Sequence, residues 1–157
     1  MRGLPSILPR PPLANALLSG YVKAAENSDP SLLSATLVPT CTRRVAPAAF
    51  LASIDMPTDL AFTNEQYEAQ FAKELPAARP TRVESIQNVV VDVIKKTAAA
   101  TSIYTSEFTG GAEETMQFAC FLELDDEDKK ITKMLEFVDT MTAARYQGLI
   151  EKWLKGK

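Results

Sequence analysis

The side chains best suited to chemistry in this chain include Glu136, which alternates with Met134 and Val138 on one face of a predicted strand. Leu135 and Phe137 belong to the opposite face of that strand. If the first face lines a cavity, desolvation raises the pKa of Glu136 towards that of a general acid or base. If it faces outward, Glu136 is a solvated or dimer-interface charge. The chain contains no histidine, so proton transfer would fall to carboxylates, tyrosines, a lysine or bound water.

Arg43 and Arg44 are consecutive, and strand alternation would send their side chains in opposite directions. A guanidinium that points into a cavity could bind a carbonyl or enolate oxygen, or hold Glu136 ionised. The alternative is a surface pair, or a structural salt bridge to Glu136. Tyr104 could donate a hydrogen bond to a developing oxyanion, or it could be an ordinary core tyrosine.

Four further residues are candidates for a substrate-binding wall, namely Phe118, Met134, Asp92 and Asn88. The last two share the polar register of a neighbouring predicted strand, and they could equally face solvent.

No metal or cofactor is predicted. The acidic run at residues 125–128 lacks the glycine and the distant glutamate of an EF-hand loop, so it is interpreted as a solvated turn. No glycine-rich phosphate loop or nucleotide fingerprint is present in the sequence. Cys41 and Cys120 suit no zinc site and, as nucleophiles, would lack an imidazole base. They are predicted to be buried thiols in a reducing compartment, and we expect the protein to be cytoplasmic.

The composition argues against two classes of partner. A net charge of -3, with basic residues in isolated pairs, does not favour a nucleic-acid surface. No uninterrupted apolar run is long enough to span a bilayer. The 157 residues suffice for one domain with a single core.

The pattern of helices and strands predicts an α+β fold. Residues 1–12 form a predicted extended proline-rich arm, and residues 13–157 a single domain. A first helix from Leu13 is followed by a short one that begins at Pro30 and ends at Pro39. Residues 40–63 are predicted to be an irregular binding loop or lid. A third helix follows Thr63, then a four-stranded antiparallel meander, and a last helix is capped by Asp139.

Three motifs, in this order, carry a family resemblance: Cys41-Thr42-Arg43-Arg44 with Pro47, Phe62-Thr63-Asn64-Glu65-Gln66-Tyr67, and Phe121-Leu122-Glu123-Leu124-Asp125 followed by Ile131 and Glu136-Phe137-Val138-Asp139. The chain resembles the SnoaL-like polyketide cyclases of the nuclear transport factor 2-like superfamily. The resemblance implies a cone-shaped barrel, in which a curved antiparallel sheet packs on N-terminal helices beside a C-terminal helix. It also implies that Glu136 and Arg43 point into the cone.

The chain is similar in particular to small fungal enzymes that isomerise or cyclise terpenoid, alkaloid or polyketide intermediates. The resemblance therefore implies a cofactor-independent isomerase or cyclase for a small hydrophobic substrate. In that mechanism Glu136 moves a proton, Arg43 stabilises oxygen-centred charge and Tyr104 orients the substrate. A dehydratase is an alternative, as is a binding or dimerisation module, in which Glu136 and Arg43 would form a closed pair without a cavity. The apolar residues Leu135 and Phe137 predict a homodimer through the convex face of the sheet.

Overall fold

The structure is a computed structural model that describes residues 13–127 and 129–157. The predicted arm at residues 1–12 lies outside the described residues. Four α-helices are present in the described part of the chain: α1 (Leu13–Asn27), α2 (Ala48–Ser53), α3 (Asn64–Glu74) and α4 (Thr140–Lys155), with a 3-10 helix at Pro30–Ser34. The strands are β1 (Leu37–Ala46), β2 (Ala61–Phe62), β3 (Ala78–Asp92), β4 (Thr97–Phe108), β5 (Glu113–Leu124) and β6 (Ile131–Val138). The α+β class is confirmed.

All six strands form one sheet, in the order β2-β1-β6-β5-β4-β3. Strands β3 to β6 make the predicted antiparallel meander. β1 lies parallel to β6, so the sheet is mixed rather than antiparallel throughout. Through this pairing Val45 lies beside Glu136, and β1 adds a wall next to the candidate carboxylate.

The predicted helix to Pro39 is too long, because the 3-10 helix ends at Ser34. The predicted irregular loop at residues 40–63 is wrong over Leu37–Ala46, which is a strand, and over Ala48–Ser53, which is a helix. The inward positions of β1 include Cys41 and Arg43, both buried. Because Arg43 is a charged residue at an inward position, it interrupts the alternation of apolar and polar residues that predicts a strand. The pairing with β6 is also irregular between Leu37 and Thr42, around a proline that cannot donate to the ladder.

The helix starts follow the predicted chemistry. Thr63 accepts a hydrogen bond from the Gln66 backbone N–H at 3.2 Å and donates its own N–H to Gln66 Oε1 at 3.0 Å, which completes a capping box. Asp29 caps the 3-10 helix and Asp139 caps α4. These caps fix where α3 and α4 begin, and therefore which side chains the two helices direct towards the sheet.

The core lies in two parts on the concave face of the sheet. α1 packs Leu17 and Leu18 against strand residues such as Leu122 and Ile131. A smaller cluster joins α4 to the start of β3 and the end of β4, through Ile150 and Phe108 among others. Between these two clusters the concave face is not filled, and a cavity remains there. Among the described residues there is no helix with the length and apolarity needed to cross a membrane.

Candidate active site

A cavity of about 450 Å³ lies between the sheet and the helices. This volume is within the range of small-molecule sites. The wall is mostly aromatic and aliphatic, and all four α-helices and all six strands contribute to it. Three glutamates and four tyrosines of the described residues line the cavity: Glu74, Glu136 and Glu151, and Tyr21, Tyr67, Tyr104 and Tyr146.

Glu136 lies on the cavity wall together with Val138, as the alternation of the strand predicts. It is paired in register with Cys120 of β5 and Val45 of β1, so its backbone is fixed by strands on both sides. Burial raises the pKa of Glu136, while the Arg43 charge and a hydrogen bond from Tyr21 partly oppose that rise. Glu136 is therefore a carboxyl group with a perturbed acidity in a concave, apolar site, as a general acid or base requires.

Tyr21 is the centre of a hydrogen-bond network beneath the cavity. Its hydroxyl accepts from Arg43 Nη1 at 3.1 Å and from the Tyr67 hydroxyl at 3.2 Å. It donates its single proton to Glu136 Oε2 at 3.4 Å, which is long for a hydrogen bond between oxygens. The other carboxyl oxygen, Oε1, receives no hydrogen bond from the described residues, and is therefore available to a molecule in the cavity.

Arg43 is buried, with 2% of its surface exposed, whereas Arg44 is exposed. The prediction that the two side chains point in opposite directions is confirmed. Arg43 Nη2 donates to the Leu33 carbonyl at 2.6 Å, and the guanidinium lies 4.0 Å from the centre of the Tyr67 ring. Burial acts to lower the pKa of Arg43, but Tyr21, Tyr67 and Glu136 raise it above its ordinary value.

Arg43 and Glu136 do not form a direct ion pair, because the Tyr21 hydroxyl stands between them. Arg43 is not part of the cavity lining either. Its positive charge reaches the carboxylate through Tyr21, so Arg43 has the geometry of a positioning residue. The closed pair expected of a module without a cavity is not what the structure shows.

Tyr104 contributes its ring to the cavity wall, 5.6 Å from the Phe118 ring and 5.5 Å from that of Tyr21. Its hydroxyl donates to the backbone carbonyl of Leu18 in α1. Since a phenol has one proton, that proton is not directed at a substrate. The predicted oxyanion donor is therefore placed as an aromatic wall that ties α1 to the sheet.

The structure brings one of the four predicted binding residues, Phe118, to the cavity. Met134 faces the same side of the sheet as Glu136, but it lies under α1 and packs in the core with 3% exposure.

The two polar candidates lie outside the cavity. Asp92 accepts from the Ile94 and Lys95 backbone N–H groups at 3.0 and 2.9 Å and so closes the β3–β4 turn. Asn88 is exposed, with a φ of 54°, and donates to Thr101 Oγ1 at 2.8 Å. Both belong to the solvated end of the long β3–β4 hairpin.

Two tyrosines of the cavity wall, Tyr21 and Tyr67, were not among the predicted site residues. Both tyrosines lie on the apolar faces of their helices, where an aromatic residue is usually packing. A signal was available, because a buried tyrosine hydroxyl needs a hydrogen-bond partner. Burial raises the pKa of Tyr67 to about 12 and that of Tyr21 well above its ordinary value, so both are neutral donors at physiological pH.

Within residues 13–127 and 129–157 no group of three or more potential ligands could hold a metal ion. Asp125, in the acidic turn, accepts from the Lys129 backbone N–H at 2.9 Å, as expected of a turn residue.

Solved structures share this architecture at low sequence identity. PrhC from Penicillium brasilianum aligns over 92% of each chain, with a TM-score of 0.69 and 14% identity. BvnE pinacolase from Penicillium brevicompactum aligns over 90% of this chain and 99% of its own, with a TM-score of 0.65 and 13% identity. A protein from Catenulispora acidiphila described as having a ketosteroid isomerase-like fold aligns over 76% of this chain and 82% of its own, with a TM-score of 0.54 and 14% identity.

The chain has a SnoaL-like, nuclear transport factor 2-like fold. The resemblance found in the sequence motifs is thus confirmed at the level of the fold. Neither a protein-family model nor a curated protein matches the sequence. In this SnoaL-like fold the cavity and its carboxylate occupy the open part of the cone, between the sheet and α3 and α4.

Proposed function

We propose that the protein is a cofactor-independent isomerase or cyclase for a hydrophobic secondary metabolite, such as a terpenoid, alkaloid or polyketide intermediate. The observation that carries this proposal is the position of Glu136, a desolvated carboxyl group on the wall of an accessible apolar cavity and hydrogen-bonded to Tyr21 on one oxygen only. The presence of a pinacolase among proteins of the same fold supports it.

In the proposed reaction Glu136 Oε1 takes a proton from the substrate and returns a proton at another atom. The product then has the composition of the substrate, and no oxidant, reductant or co-reactant is needed. Tyr21 holds Oε2, so the carboxyl group presents one fixed oxygen to the substrate. Arg43, through Tyr21, stabilises the ionised form that accepts the proton.

The apolar wall supports the same proposal. The rings of Phe118 and Tyr104 pack edge to face at the wall, which limits their freedom to move aside. A rigid apolar surface holds a flexible substrate in one reactive conformer, and it excludes water that would divert an intermediate. Tyr104 would thus orient the substrate with its ring.

Deletion of the gene in its native host tests this function, followed by restoration with the wild type, Glu136→Gln or the control Glu107→Gln. Glu107 is an exposed carboxylate on β4 that does not line the cavity. We expect deletion to accumulate a compound isomeric with the lost product, and only the wild type and the control to restore that product. Full restoration by Glu136→Gln refutes the proposed role of Glu136. An accumulated compound heavier than the product by one water would instead show a dehydratase.

We propose further that the protein is a homodimer through the convex face of the sheet. Phe121 and Phe137 are 50% and 41% exposed there, with ring centres 6.0 Å apart. A concavity of about 600 Å³ adjoins Phe121, and its lining is mixed: it includes Phe121 and Leu135 and also the charged residues Arg44, Asp92, Glu123 and Lys133. Light scattering at micromolar concentration should give twice the mass of the 17.2 kDa chain, and Phe121→Glu should give the monomer. A monomeric wild type contradicts the proposal.

We also propose that the protein is cytoplasmic. Cys41 and Cys120 are both free thiols and both buried. Free thiols are the usual state of cysteine in a reducing compartment.

A further inference from the structure

Glu74 is a second carboxyl group on the cavity wall, and the proposed reaction does not use it. It lies in the last turn of α3 and lines the cavity together with Gln70 of the same helix. Across from α3, helix α4 contributes Tyr146 and Glu151 to the same part of the wall. The cavity wall therefore carries three carboxyl groups: Glu136 on the sheet, the partly buried Glu74 at the end of α3, and the exposed Glu151 on α4.

Three features of this position disfavour a charged carboxylate. Glu74 is partly buried, and burial raises its pKa, although the Gln70 hydrogen bond and the Lys73 charge offset part of the rise. It lies at the C-terminal end of α3, where the helix dipole is negative. No ion pair of the described residues includes it. By contrast, Glu136 has a buried arginine behind its hydrogen-bond partner.

The hydrogen bonding of Glu74 leaves one oxygen unused. Gln70 Nε2 donates to Oε1, four residues back along the helix. Oε2 receives no hydrogen bond from the described residues. It is not one of the side-chain atoms that are both fully buried and without a hydrogen-bond partner, so Oε2 is not fully buried. The neighbouring tyrosines do not change this, because the hydroxyl of Tyr67 donates to Tyr21 instead.

We propose that Glu74 is a second substrate-binding group, a neutral carboxylic acid that donates a hydrogen bond to an uncharged substrate oxygen. The substrate class that follows is a hydrophobic molecule with two separated oxygen functions, one facing Glu136 and the other, a carbonyl or ether oxygen, facing Glu74. This inference rests on the proposed function for the role of Glu136, while Glu74 itself is argued from its own place on the cavity wall.

A binding experiment without turnover tests the role of Glu74. The probes are 6-acetyl-2-naphthol, which has a hydroxyl at one end and a carbonyl at the other, and 6-ethyl-2-naphthol, which lacks only the carbonyl oxygen. The affinity ratio of the ketone to the ethyl compound is measured by titration calorimetry for the wild type, Glu74→Gln and Glu74→Met. Thermal unfolding of each variant checks that it is folded.

We expect the affinity ratio to fall roughly three- to tenfold in Glu74→Met, because the hydrogen bond to the carbonyl is lost. Glu74→Gln should keep most of the ratio, since an amide also donates. The same ratio in the wild type and Glu74→Met overturns the inference, as does a wild type that does not bind the ketone. A second measurement needs no probe: the ¹³C carboxyl signal that disappears in Glu74→Gln should titrate at a higher pH than exposed glutamates. Titration at the ordinary pH of a glutamate also overturns it.

The two proposals fail in different ways. If Glu136 is not the acid–base group, Glu136→Gln restores the product in the host. If Glu74 is not a binding group, the ketone ratio is unaffected by Glu74→Met, whatever the product profile shows.

Discussion

Replacement of Tyr21 by phenylalanine should destabilise the protein more than the same replacement of Tyr67, although the two substitutions remove the same atom. The Tyr21 hydroxyl has three partners, whereas that of Tyr67 donates only to Tyr21. Tyr21→Phe therefore leaves Arg43 Nη1 and the Tyr67 hydroxyl without their acceptor. Tyr67→Phe removes one neutral hydrogen bond and keeps the ring beneath the guanidinium.

The magnitudes follow from the type of each bond. A hydrogen bond to a charged group is worth about 1.5–3 kcal/mol, and one between neutral groups about 0.5–1.5 kcal/mol. The 3.4 Å contact with Glu136 is too long to add much. We therefore expect Tyr21→Phe to lower the free energy of unfolding by about 2–4 kcal/mol, and Tyr67→Phe by about 0.5–1.5 kcal/mol. For a chain of this length, the larger loss lowers Tm by about 5–15 °C.

Urea unfolding followed by circular dichroism, with Trp153 fluorescence as a second probe, measures both variants and the double variant. Once Tyr21 is phenylalanine, the Tyr67 hydroxyl has no partner, so removing it as well should cost less than in the wild type. The double-mutant cycle should show a coupling of about 1 kcal/mol. A loss for Tyr67→Phe equal to or greater than that for Tyr21→Phe refutes the network with Tyr21 at its centre.

Three other predictions test the site. The pKa of Glu136 is raised in the folded protein, so its contribution to stability is complete below the unfolded pKa of about 4.3 and declines as pH rises towards the folded pKa. The free energy of unfolding, measured by denaturation at several pH values, should show this decline in the wild type and not in Glu136→Gln. If the two plots of free energy against pH are parallel, the prediction is wrong. Arg43→Met should lower the free energy of unfolding by about 3–5 kcal/mol in urea melts, because it leaves the Leu33 carbonyl and the Tyr21 hydroxyl without their buried donor. A loss under about 1 kcal/mol would argue against that role. Asp139→Ala removes the cap of α4 and should cost about 1 kcal/mol, measured the same way, with no change in the ketone preference of the binding probe.

Short-range features of the sequence were sufficient to predict where most helices begin and to predict the antiparallel meander. The start of α3 after Thr63 and the Asp139 cap of α4 depend on neighbours within a few residues, and they form as predicted. β1 was missed because its stabilising partner, β6, lies about ninety residues further along the chain. Parallel pairing over that distance leaves no local signature beyond an alternation, which a buried arginine interrupts.

Some features of the candidate site could likewise be predicted from the sequence, and others depend on tertiary packing. From the sequence it follows that proton transfer cannot involve histidine and that Glu136 lies in an apolar strand, because these depend on composition and on the two-residue period of β6. The opposite orientation of Arg43 and Arg44 was predicted only on the condition that they lie in a strand, and the structure supplies that strand. Three relations could not be predicted from the sequence: Tyr21 joins Arg43 to Glu136, the Tyr104 hydroxyl is hydrogen-bonded to α1, and Glu74 lines the same cavity. Those relations depend on how α1 and α3 pack across the sheet, and side-chain spacing along a chain does not encode distances between elements that are far apart in sequence.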